Sequence, residues 1–141
     1  MAITDLGTVI SARPDLPLTP AGQEQAMSQT TEHLEPLEGL RRHKLLPKQI
    51  RVALPSLDST DGFSFNDRLL VVKFICPQSE WRWYAVEFDG SDIFFGYVKG
   101  FCNEWGYFSF HELSNTTLGG GVPAVERDLF FEPVLFRDLS D

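Results

Sequence analysis

The sequence predicts a single α+β domain: an antiparallel sheet of about five strands, one docked short helix, and an N-terminal arm carrying a candidate helix. Three observations predict it. Between Arg68 and Phe131, short apolar runs alternate with compact turn signals, too close together for the crossovers of a dozen or more residues that parallel pairing needs. At 141 residues the chain is the size of a single domain, and with 43% hydrophobic and 13% aromatic residues, twelve of them Phe, it is apolar enough to fold alone. Residues 1–43 lack this patterning, so an arm (1–43), partly helical or mobile, precedes an aromatic-rich domain (44–141).

Gly7, Pro14 and Pro17 interrupt the start of the arm, which reads as irregular chain. Thr19-Pro20 is a helix start, because Thr caps free N–H groups and Pro sits in the first turn, where its missing donor is harmless. That helix runs to about Leu34 with a thin apolar side of Ala26, Met27 and Leu34, and Pro36 and Gly39 end it. Pro47 opens a second helix, in which Leu46, Ile50, Leu54 and Leu57 recur at three- to four-residue spacing; it ends near Pro55 and docks on the sheet.

Turn formers at 58–67 lead into a first strand, Arg68 to Cys76, rich in Leu, Val, Ile and Phe. Pro77 to Glu80 turns the chain into a second strand, Trp81 to Phe88, and Asp89-Gly90 is the strongest hairpin signal of the sequence. A third strand, Ile93 to Val98, is followed by a looser connection, Lys99 to Trp105. The fourth, Tyr107 to His111, passes into a turn or short helix through Glu112 and Leu113. Gly119–Gly121 precede no helix start and read as a flexible loop; a fifth strand, Val125 to Phe131, is closed by Pro133 before a short tail.

Twenty acids against twelve bases give a net charge of -8, which opposes contact with a phosphate backbone and argues against direct nucleic-acid binding. Cys76 and Cys102 lie in no CxxC or His-rich neighbourhood, so neither a disulfide framework nor a zinc site is indicated, and both read as reduced thiols in or near the core. With no signal-peptide pattern and no apolar run long enough for a span, the expected location is cytoplasmic, away from membranes. No Ser-centred elbow, HExxH or phosphate loop occurs, so no catalytic residue, cofactor or metal ligand is assigned.

Strand parity supplies the candidate binding residues. In the second strand Tyr84, Val86 and Phe88 share one side, and Trp81, Trp83, Ala85 and Glu87 the other. In the fourth, Phe108 and Phe110 oppose Tyr107, Ser109 and His111. Trp81, Trp83, Glu87, Tyr107 and His111 then line one recognition face, or else the arm or the Pro47 helix covers these rings and makes them a second half of the core. An acid–base reading pairs His111 with Glu87, Glu112 or Glu126. Arg127, inside the triplet Glu126-Arg127-Asp128, is either on a solvated edge or crosses to Glu87 or Asp89, fixing register or holding an anionic group of a partner.

Six blocks carry a resemblance: LLPKQI at 45–50, VVKF at 71–74, WYAVEFDG at 83–90, FFG at 94–96, GYFSFHEL at 106–113 and VERDLFFEP at 125–133. From Leu45 to Pro133 the chain resembles a bacterial family catalogued as domain of unknown function 2958. The resemblance implies a small cytoplasmic protein of plasmids and other mobile elements, with accessory roles such as regulating transfer or blunting host defence, and it brings no activity, cofactor or catalytic residue. The functional expectation is a non-enzymatic interaction or regulatory module that binds a host or mobile-element protein through its aromatic face, with homo-oligomerisation left open. Its alternatives are an acidic nucleic-acid mimic inhibiting a defence or nucleic-acid-processing enzyme, and a small hydrolase centred on His111 and a carboxylate.

Overall fold

The computed structural model describes residues 43–140 and the backbone of residues 10 and 11. The helix expected from Pro20 to Leu34 lies outside the described residues. In chain order the elements are β1 (Ile10–Ser11), α1 (Lys48–Ala53), β2 (Leu69–Leu70), β3 (Val72–Ile75), β4 (Arg82–Phe88), β5 (Ile93–Lys99), β6 (Asn103–Ser109), α2 (Phe110–Asn115), β7 (Glu126–Arg127) and β8 (Val134–Leu135). Six strands form one sheet in the order β1-β6-β5-β4-β3-β7, while β2 pairs with β8 in a second. Every pairing is antiparallel.

Local chemistry explains the connections. At the β4–β5 turn one carboxylate oxygen of Asp89 accepts from the amides of Ser91, Asp92 and Ile93 at 2.8, 2.7 and 3.0 Å, and Gly90 adopts φ +94°. The β5–β6 connection is tighter than expected: Lys99 pairs with Asn103, so Trp105 belongs to β6. Gly100 makes this possible, since a Cβ there would overlap the Trp81 ring.

The fourth strand stops at Ser109 instead of His111. The Ser109 hydroxyl accepts the Glu112 amide at 3.0 Å and caps α2, which moves His111 onto a helix. The expected first strand divides at Val71: β3 stays in the main sheet, and β2 leaves it to pair Leu69 with Leu135 and Leu70 with Val134. The tail after Pro133 is therefore structural. The fifth strand shortens to β7, after which Asp128 accepts the Phe130 amide at 2.9 Å and turns the chain.

Both faces of the main sheet carry a core. One holds Phe74, Trp81, Trp83, Ala85, Phe88, Phe94, Val98 and Phe108, closed by Leu45, Leu46, Leu54, Leu113 and Val125. The other holds Tyr84 and Val86 with Leu70 of β2, roofed by Phe131, Val134, Phe136 and Leu139. A register shift between Ala85 and Glu87 marks a bulge, and it carries Phe88 onto the Trp83 side, against the parity of the sequence. Gly96 lies opposite Ala85, where a Cβ would overlap the Tyr84 carbonyl. Among the described residues no helix is long and apolar enough to cross a membrane.

Candidate functional site

Trp81 and Trp83 do not form a recognition face. Trp83 is fully buried, Trp81 nearly so, and their rings stack at 5.7 Å inside the core that Leu45, Leu46, Leu54, Leu113 and Val125 close. Strand alternation separates two sides without saying which is covered; here the side bearing Trp81 and Trp83 is, and the two rings are part of the core.

Glu87 is also interior, 2% exposed. Its carboxylate accepts the amides of Asp58 and Thr60 at 2.8 and 2.9 Å and the Thr60 hydroxyl, anchoring a loop in which Asp58 takes φ +71°. A buried carboxylate is tolerated when its oxygens are filled by donors in this way. Arg127 reaches neither Glu87 nor Asp89. It lies on edge strand β7 opposite Phe74, its Nε donates to the Lys44 carbonyl at 3.2 Å, and partial burial lowers its pKa. Its neighbour Asp128 pairs with Lys73 at 3.4 Å. Cys76 is buried, but Cys102 is exposed and so is not a core thiol.

His111 is exposed, with its ring 3.4 and 3.5 Å from the Asn115 amide nitrogen. Its backbone amide donates to Asp92 at 2.7 Å, and the Ser109 hydroxyl lies 3.0 Å from both Asp92 oxygens. Burial raises the Asp92 pKa, opposed by the bonds from the His111 amide and the Ser109 hydroxyl and by the nearby imidazole. Burial, then the Asp92 charge, raises that of Glu112. Serine, histidine and acids therefore meet here, but the serine hydroxyl is spent on Asp92 and the Glu112 amide; the arrangement caps a helix and ties it to the start of β5.

The aromatic surface lies on the opposite face from Trp83. Phe65 is 45% exposed, beside half-buried Phe95, Trp105 and Tyr107. Phe65 stacks on Trp105 at 4.5 Å with an interplanar angle of 18°, and Phe95 contacts Trp105 at 5.9 Å and Tyr107 at 5.0 Å. The Arg68 guanidinium sits 4.5 Å from the Phe65 centroid while its Nε and Nη2 donate to the Phe63 carbonyl at 3.2 and 3.1 Å. An ion pair between Asp67 and Arg137 fastens this loop to the turn bearing Phe136.

Of the residues singled out in the sequence, only Tyr107 belongs to this surface. Phe95 and Trp105 were legible as strand-period partners of Tyr97 and Tyr107, but Gly100 and Cys102 disguised the start of β6 as loop. Phe63 and Phe65 lie among turn formers, where no periodicity marks them.

A family model described as protein of unknown function, DUF2958, matches residues 45–140. The chain belongs to the DUF2958 family. The match runs past Pro133 to take in β8 and the ring-bearing tail, so the DUF2958 unit includes the roof of the second face as well as the sheet. Searches of the curated proteins and of the solved structures found no match. Among the described residues of this DUF2958 chain, no group of three or more His, Cys, Asp or Glu side chains is placed to hold a metal ion.

Proposed function

We propose that the chain is a non-enzymatic protein-interaction module whose contact surface is the half-open cluster of Phe65, Phe95, Trp105 and Tyr107. One observation carries the reading: Phe65 is 45% exposed yet held between the Trp105 ring and the Arg68 guanidinium. Aromatic and Arg side chains dominate binding energy at interfaces, and rings already fixed in place lose little freedom when a partner arrives. The polar groups best suited to chemistry are otherwise engaged: Glu87 by the Asp58–Thr60 loop, Asp92 by the cap of α2, Arg127 by the Lys44 carbonyl.

The partner is a cytoplasmic protein, of the bacterial host or of a mobile element carrying the gene, with a complementary apolar patch. A net charge of -8 sets it apart from a nucleic acid. Affinity capture from the source cells, quantified by mass spectrometry, tests this with wild type and Phe65→Ala side by side. One stoichiometric partner is expected with wild type, weakened roughly 30-fold by the substitution, a loss of about 2 kcal/mol. Far-UV circular dichroism should stay unchanged, and a partner retained in full by Phe65→Ala removes the surface.

A further inference from the structure

We propose that the outer edge of β6 is a strand-acceptor site, occupied in cis by β1 and taken over by an extended segment of the partner protein. This rests on the interaction-module reading and specifies how the partner is held. The register decides which backbone groups face outward. The Phe110 amide donates to the Asp92 carbonyl at 2.8 Å and the Gly100 amide to the Cys102 carbonyl at 3.2 Å. Each of these bonds flanks a facing pair, Ile93 with Ser109 and Lys99 with Asn103, that is not itself hydrogen-bonded.

It follows that Glu104, Gly106 and Phe108 turn their N–H and C=O groups toward β5, while Asn103, Trp105, Tyr107 and Ser109 turn theirs to the open side. Strand β1 meets that side with Ile10 opposite Phe108 and Ser11 opposite Tyr107, so Ser11 and Tyr107 are the pair that exchanges hydrogen bonds.

A row of outward donors and acceptors templates another strand. Side chains opposite Trp105 and Tyr107 would fall on the face of those rings, beside Phe65 and Phe95. The fitting occupant is therefore an antiparallel extended segment with apolar residues at alternate positions and no proline opposite Trp105 or Tyr107. The seated β1 shows that the edge accepts an antiparallel strand, and by occupying Tyr107 it lowers the apparent affinity for any other by the fraction of time the edge is free.

The test uses the full chain with Ser11→Pro, which deletes the amide paired with Tyr107, and a fluorescein-labelled peptide copying residues 7–13. The Tyr107 amide should exchange hydrogen about tenfold faster in the variant and slow again with saturating peptide. Fluorescence anisotropy should show the peptide binding the variant about tenfold more tightly than wild type. Equal exchange rates, or equal peptide affinities, overturn the strand site. If Phe65→Ala loses the captured partner while Ser11→Pro changes nothing, the aromatic surface stands and the strand site falls; if Ser11→Pro behaves as expected while Phe65→Ala keeps the partner, the reverse holds.

Discussion

Both faces of the main sheet are lined with rings, yet only one is closed. Beneath α1, Phe74, Trp83, Phe94 and Phe108 have no exposed surface, because the leucines around α1, Leu113 of α2 and the chain through Val125 cover the whole of that side. On the other side, Phe131, Val134, Phe136 and Leu139 seal Tyr84 and Val86, but this narrow roof of loop and tail meets β6 only where the Phe136 ring stands edge-on to Trp105 at 5.0 Å. Trp105 and Tyr107 stay half-buried there, and the exposed Phe65 stacks on Trp105. Tryptophan serves as core on one side and as surface on the other, and the extent of the covering segment decides which.

Truncation of one tryptophan on each side is the strongest way to break that contrast. Trp83→Ala should cost about 4 kcal/mol, since it empties a sealed site. Trp105→Ala should cost no more than about 1.5 kcal/mol of stability, in proportion to its partial burial, while abolishing partner capture. Urea midpoints compare the two, and equal losses would erase the distinction between the faces.

Two carboxylates sharpen it further. Glu87→Ala leaves two amides and a hydroxyl without their acceptor in a part-buried loop, and should cost about 3 kcal/mol. Asp67→Ala removes an ion pair to Arg137 in which both side chains are about half exposed, and should cost no more than about 1 kcal/mol. Thermal melts of the two variants check the order, and a larger loss for Asp67→Ala would contradict it.

The smallest expected effect depends on pH. Burial raises the folded-state pKa values of Asp92 and Glu112, so folding favours their protonated forms. Their contribution to stability is complete below the ordinary carboxylate range near pH 4 and is lost as pH rises through the raised values. Glu112→Gln should therefore gain a few tenths of a kcal/mol at pH 7 and nothing at pH 3, the gain being small because Glu112 is partly solvated. Urea midpoints at the two pH values decide it, and a variant no more stable than wild type at pH 7 contradicts the assignment.

What could be read from the sequence was local. The α1 start at Pro47 and the β4–β5 hairpin follow from residues a few positions apart, as the Asp89 contacts show. What could not be read was set by partners far along the chain. The end of β6 at Ser109 is reinforced by Asp92, seventeen positions earlier. The division of the first strand needs β8, beyond a proline that looked like a terminus. The bulge at Ala85–Glu87 leaves the composition of β4 unchanged but moves Phe88 to the other side and aims Glu87 at the Asp58–Thr60 loop.

By itself the amino-acid sequence determined the antiparallel meander, the family and the net acidity, because turn chemistry, strand propensity and formal charge are properties of neighbouring residues. Only the tertiary structure decided that Trp81 and Trp83 are core while Phe65 and Trp105 meet solvent. Period-two alternation gives every strand two sides, and whether a side is wet depends on how far a roof contributed from elsewhere in the chain extends across it.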